Sequence, residues 1–285
     1  MRAEFQSEIN KTGSRDNHKG LNGWLAFFLT LSLIVLFVTS VLRMTVLNQK
    51  YTEDRVLTDT SVSLVTREMN DAISNIATLN NVPASIVKDA LTDQQVDDIA
   101  KASLGNIYTG KEKVINPTEI TNQVASNISK KVNTSNATDN AEADSLVATF
   151  KSNLNEYLTN NVQNSYLSKI SSTVSSIKST VQSFFLYSLI VSVVLALLLL
   201  VVNRAFFIPL KYIGSSAIWS GILIAVGSAL ALYTGLISIV SSRAAVFTGI
   251  VSSYINDTLN TMLVGSLMMV VVGLVFWLIG RNRNK

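Results

Sequence analysis

Residues 184–202 read FFLYSLIVSVVLALLLLVV, a run with no charged side chain. An α-helix rises about 1.5 Å per residue, so a run of this length nearly covers the ~30 Å hydrocarbon core of a bilayer. A surface helix of a soluble domain keeps one polar face for water, and this run has none. It is a membrane span, and that reading sets the class of the chain.

Three more stretches share the property: Trp24 to Leu42, Ala217 to Val240 and Thr261 to Gly280 contain no Asp, Glu, Lys or Arg. With 285 residues, 48% of them hydrophobic and 15% charged, the composition agrees with a membrane-embedded chain. The expected fold class is an all-α integral membrane protein with four transmembrane helices and a helical extracytoplasmic domain between the first and second. The first apolar run exceeds the usual h-region of a signal peptide and no clean small-x-small cleavage pattern follows it, so it reads as a retained anchor.

Orientation follows from positive charge beside the spans. Arg2, Lys11, Arg15 and Lys19 precede the first span, Arg204 and Lys211 lie between the second and third, and Arg281, Arg283 and Lys285 follow the fourth. With four spans all three groups fall on one side, which places both termini in the cytoplasm. The expected organisation is a tail at 1–23, spans at 24–47, 184–202, 214–240 and 261–280, an extracytoplasmic domain at 48–183, a cytoplasmic link at 203–213, a second external loop at 241–260 and a basic tail at 281–285. Trp24 and Trp277 suit the cytoplasmic headgroup region, and Arg43 can snorkel at the outer end of the first span.

The chain has no cysteine, so no disulfide staples a domain that would face an oxidising space. That habit, with richness in Asn, Thr, Ser and Lys, points to the plasma membrane of a bacterium with a Gram-positive-like envelope. Asn127, Asn133, Asn136 and Asn256 open glycosylation sequons, which a stretch this rich in Asn, Ser and Thr produces by chance. The net charge of +4 comes from membrane-flanking residues rather than a basic patch with interleaved aromatics, so nucleic acid is not an expected partner.

Between the first two spans, apolar residues recur at helical spacing. Val62, Val65, Met69, Ile73 and Ile76 make one face, of a helix expected to continue out of the first span and to stop at Asn80, Asn81 and Pro83. Thr92 and Gln95 have capping-box form ahead of Val96, Ile99, Ala100, Leu104 and Ile107, and Gly110 can end that helix. Asn116, Pro117 and Glu119 are an N-cap, first-turn proline and third-position carboxylate for a helix with the face Ile120, Val124, Ile128 and Val132. After a polar loop at 133–140, Leu146, Phe150, Leu154 and Tyr157 share a face.

Ile170, Val174, Ile177 and Val181 then have the four-three-four spacing of a short coiled-coil seam, a candidate partner contact. No glycine or proline lies between that seam and Val202, which predicts one continuous helix into the second span. Gly221, Ala225 and Ala229 in the third span form a small-residue stripe suited to close helix packing or self-association. Val246, Phe247, Ile250, Val251, Tyr254, Ile255 and Leu259 predict a separate amphipathic helix in the second loop, with Arg243 and Asp257 beyond its apolar face.

Chemistry-bearing patterns are missing. His18 is the single histidine, so neither a zinc-protease helix nor a Ser-His or Cys-His pair can be assembled. The span cores carry no ionisable residue of the kind that ion-coupled transport uses, and no phosphate-binding Gly-rich loop occurs. Asp93, Asp97 and Asp98 lack EF-hand spacing and suit a solvated first helical turn. No cofactor, metal or catalytic residue is expected.

Three readings follow. The first is a non-enzymatic envelope protein whose extracytoplasmic helical domain binds or senses a partner or ligand. The layout of span, large domain and three further spans also resembles the cell-division permease family related to MacB-type transporters. That resemblance covers layout rather than motif, and implies an accessory subunit of an ATP-driven complex in which Arg204 and Lys211 would meet the ATPase. The third is a chemoreceptor-like sensor signalling through a partner, which includes another copy of the chain.

Overall fold

The computed structural model describes residues 19–134, 140–163, 165–203, 207–242 and 247–282. The described chain is all helix and turn, and it divides into two compact units: Met1–Thr45 with Thr180–Lys285, and Val46–Ser179. Four helices are long and apolar enough to cross a membrane, and the second unit is a helical domain inserted between the first and second of them.

In the membrane unit, α1 covers Lys19–Met44. The intervening domain begins with α2 (Gln49–Val56) and α3 (Asp59–Leu79). The expected continuity of the first span with the Val62–Ile76 helix does not hold. Asn48 and Thr58 accept from the backbone N–H groups of Tyr51 and Ser61, so each starts a new helix and the chain turns twice between α1 and α3. The stop after α3 is as expected: Leu79 ends it, and Asn81 takes a left-handed φ of 59° that asparagine tolerates.

A single turn, α4 (Ala84–Val87), precedes α5 (Asp93–Tyr108). Both halves of the Thr92–Gln95 capping box form, and Gly110 closes the C-terminus at φ 72° with its N–H donating to the Ile107 carbonyl. Helix α6 (Pro117–Thr134) begins at the expected proline, with Glu119 N–H donating to Asn116 Oδ1 at 3.4 Å. Helix α7 covers Asn140–Tyr157 and relaxes into a π-turn at Leu158–Val162.

The domain core joins Ile73 and Ile76 of α3, Val96 of α5, Ile120, Val124 and Ile128 of α6, and Phe150 and Leu154 of α7. These are the expected faces, with two edge corrections. Leu146 and Tyr157 are 45% and 40% exposed, while Val147 and Leu158 pack on the core in their place. Val147, Phe150, Leu154 and Leu158 follow one another at three- and four-residue spacing, so they form the single helical face that the core selects. Val132 lies where side chains are not described.

Helix α8 is one unbroken 39-residue helix, Ser165–Asn203, so the predicted continuity into the second span is present. Helix α9 (Phe207–Tyr233) starts earlier than the expected span at 214–240. Pro209 occupies its first turn, where a missing N–H costs no helical bond, so most of the expected link at 203–213 is helix. The same span ends early: Gly235 at φ 75° breaks it, and α10 (Leu236–Ser241) follows. The predicted loop helix is not separate either. It forms the first turns of α11, Thr248–Asn282, 35 residues with no break before the fourth span.

Within the membrane unit, α9 and α11 run antiparallel in backbone contact. A Cβ built on Gly214 would lie 2.6 Å from the Gly273 carbonyl oxygen, one on Gly221 2.7 Å from the Ser266 carbonyl oxygen, and one on Gly280 2.5 Å from the Lys211 nitrogen. Contacts on α11 at 266, 273 and 280 repeat every seven residues, the period that keeps two helices facing along a shallow left-handed supercoil. Hydroxyls and amides join the other helices. Ser216 and Ser220 of α9 donate to the Ala26 and Thr30 carbonyls of α1 at 2.8 and 3.0 Å. Ser32 of α1 donates to the Ser188 carbonyl at 3.0 Å, and Asn22 and Asn203 exchange two amide bonds at 2.8 and 2.9 Å. Such groups replace the hydrophobic drive that lipid cannot supply between spans.

Candidate functional site

The polar face of α6 and the start of α5 enclose an open groove of about 510 Å³ in the intervening domain. Asn116, Glu119, Asn122, Gln123, Ser126 and Lys130 line it at three- and four-residue spacing, opposite the Ile120, Val124 and Ile128 face that anchors α6 in the core. Burial of the apolar stripe therefore dictates that these amides point away from the core. One wall is held by Asn127, whose Nδ2 donates to the Ala90 carbonyl at 2.8 Å and to Gln95 Oε1 at 2.9 Å. This amide is committed to packing α6 on α5, so the first sequon is a structural position. Gln123 Oε1 is buried with no hydrogen-bond partner among the described residues. An acceptor in that state favours a donor brought by a ligand or by water.

The groove offers several amide donors and acceptors, one carboxylate and one ammonium. That set suits a polar ligand of low net charge, bound by hydrogen bonds rather than by ion pairing.

A second recess lies between α3 and α5, lined by Asp59, Asp93, Asp97 and Lys101. Asp93, Asp97 and Lys101 are satisfied locally. The hydroxyls of Thr66 and Ser63 hold the Asp93 carboxyl below the ordinary carboxylate range, with Ser63 Oγ at 2.9 Å. Asp97, accepting from Lys101 at 2.6 Å, raises that ammonium above its usual value. Asp98 accepts from Gln94 at 3.0 Å. Of the three aspartates expected in the first turn, only Asp93 lies there; Asp97 and Asp98 are in the next turn and pair with side chains four residues away.

The partner-contact residues expected from sequence are dispersed. Along α8, Ile170 and Val174 are half-buried, Ile177 is 48% exposed and Val181 is buried. The face of α8 that packs on the domain is instead polar. Ser168 donates to the Glu112 carbonyl at 2.9 Å, Ser171 donates to the Asn106 carbonyl at 3.4 Å, and a Cβ on Gly110 would come within 3.0 Å of Ser175. Small hydroxyl side chains allow this approach at the Gly110 turn, which branched residues would obstruct. The signal was present as serines at 168, 171 and 175, and apolar periodicity alone passes over it.

In the third span Gly221 is at the α11 contact, whereas Ala225 and Ala229 are half-buried. The closest approach follows 214 and 221 rather than the four-residue stripe. Lys211 is an exposed residue of α9, and Arg204 lies outside the described residues, as does Arg243. Membrane-edge aromatics carry cations: Arg43 sits 4.3 Å over the Phe185 ring and Arg281 5.0 Å over Trp277.

Comparison of the chain with protein-family models, with curated proteins and with solved structures gave no match.

Proposed function

We propose that this is a non-enzymatic multi-pass protein of a bacterial plasma membrane, with both termini cytoplasmic, whose helical domain between the first and second spans faces outward and binds a partner or ligand. The observation that carries the reading is the amide-lined groove on α6, an open polar surface with an unmet buried acceptor at Gln123 on an independently packed core. The unbroken α8 supports it further, because a helix shared by the domain and the second span can pass a displacement from one to the other.

The test is affinity purification in mild detergent from native membranes, run for the natural chain and for Asn122→Leu and Ser126→Leu. Both residues are exposed in the groove, so the fold is expected to survive either change. A partner recovered with the natural chain and lost from both variants supports the reading. Turnover of a lipid, peptide or glycan by the purified protein would overturn it. Recovery of a stoichiometric nucleotide-binding subunit, retained by both variants, would favour the permease-like subunit in its place.

A further inference from the structure

The α6 groove carries its two charges at opposite ends. Glu119 and Lys130 both line it, both are exposed, and they lie eleven residues apart on one face of α6, which is about 16 Å along the helix axis. Between them the same face presents Asn122, Gln123 and Ser126, and every other lining residue is also polar and uncharged. Glu119 Oε2 accepts from Asn116 Nδ2 at 3.3 Å, a long bond that leaves the carboxylate with acceptor sites to spare.

No aromatic or aliphatic side chain lines the groove. It therefore offers neither a stacking face for a sugar ring nor a pocket for an apolar side chain, and recognition falls to hydrogen bonds with amides. Elsewhere in this domain, side-chain amides take up backbone outside the helices in that manner. Asn70 bonds both the N–H and the carbonyl of Leu91, and Gln163 accepts from the Ile115 N–H at 2.7 Å while donating to the Glu112 carbonyl at 3.1 Å. Gln123 Oε1 is buried without a partner, and turning that amide toward a bound backbone gives it the N–H it lacks.

The charges set the length of the occupant. An extended chain advances about 3.3 Å per residue, so the ammonium and carboxylate of a five-residue peptide stand about 16 Å apart. We propose that the α6 groove binds an unblocked, extended oligopeptide of about five residues, with its α-ammonium at Glu119, its α-carboxylate at Lys130 and its backbone on the amides of Asn122 and Gln123. The assignment rests on the reading of this groove as the binding site of the domain.

The experiment titrates the full chain in phosphatidylcholine nanodiscs with pentaalanine, followed by saturation-transfer NMR of the peptide. Pentaalanine is expected to bind, and N-acetylation or C-amidation to weaken it about threefold each, the scale of an exposed ion pair. Glu119→Gln is expected to abolish the penalty of N-acetylation alone, and Lys130→Gln that of C-amidation alone. A merely structural role for either residue would not divide the two effects in this way. Asn122→Leu is expected to weaken blocked and unblocked peptides alike. Absence of pentaalanine binding, binding indifferent to both end groups, or preference for chitopentaose over pentaalanine would overturn the assignment. If such a result came with a membrane partner captured by the natural chain and lost from Asn122→Leu and Ser126→Leu, the binding role of the domain would stand and the oligopeptide alone would fall.

Discussion

Asn70 grips the backbone of Leu91 with both ends of its amide: the Leu91 N–H donates to Asn70 Oδ1 at 2.9 Å, and Asn70 Nδ2 donates to the Leu91 carbonyl at 3.0 Å. Leu91 is 1% exposed and precedes the Thr92 cap, so its backbone groups have neither water nor a helix to satisfy them. The side chain of α3 thereby fixes where α5 begins.

Replacing Asn70 with Leu leaves a buried donor and acceptor unmet and is expected to destabilise the intervening domain by about 1–3 kcal/mol. Thermal or urea unfolding followed by circular dichroism measures this. A variant as stable as the natural chain would show the pair to be incidental.

The α9–α11 contact predicts opposite outcomes for two glycines of the same helix. Gly214→Ala places a methyl 2.5 Å from the Trp277 nitrogen, with rigid backbone on both sides, and is expected to cost about 1–3 kcal/mol and lower the melting temperature in detergent. Gly227→Ala meets nothing and is expected to be neutral or stabilising, because alanine is the better helix former.

The reciprocal pair of Asn22 and Asn203 ties the first span to the second, with Asn22 3% exposed. Asn22→Leu is expected to cost about 1 kcal/mol, the usual scale of a polar contact between membrane helices. A double-mutant cycle with Asn203→Leu isolates the coupling, and additivity of the two changes would show there is none.

The Asp93 carboxyl, held low by the hydroxyls of Thr66 and Ser63, gives a pH dependence of known sign. Its folded-state pKa lies below the unfolded value, so its contribution to stability is present above the unfolded pKa and is lost as pH falls through the folded one. Ser63→Ala is expected to bring the two values closer and so flatten the acid end of the stability curve. Hydrogen exchange at the start of α5 across acidic pH checks this, and an unchanged profile would contradict it.

Much of this architecture was legible because it rests on local patterns. The uncharged runs, the Thr92–Gln95 box, the Asn116–Pro117 start and the Gly110 stop each act within a few residues, and each occurs where expected. The misses come from interactions that such patterns do not encode. Asn48 and Thr58 are ordinary polar residues until they cap α2 and α3. The seven-residue contact of α9 with α11 depends on which glycine meets which backbone, and a four-residue stripe at 221, 225 and 229 is an equally natural reading of one helix alone. The α6 groove was hidden for a related reason: its amides look like any solvated helix face until Gln95 of α5 closes one side.

The proposed orientation places the helical domain outside the membrane and the segment between the second and third spans inside. The chain lacks cysteine, so single cysteines introduced at exposed Lys113 and at Phe206, between α8 and α9, report accessibility without background. In intact cells a membrane-impermeant maleimide is expected to label Lys113→Cys at once and Phe206→Cys only after permeabilisation. The reverse pattern, with Phe206→Cys labelled from outside and Lys113→Cys protected, would contradict this orientation.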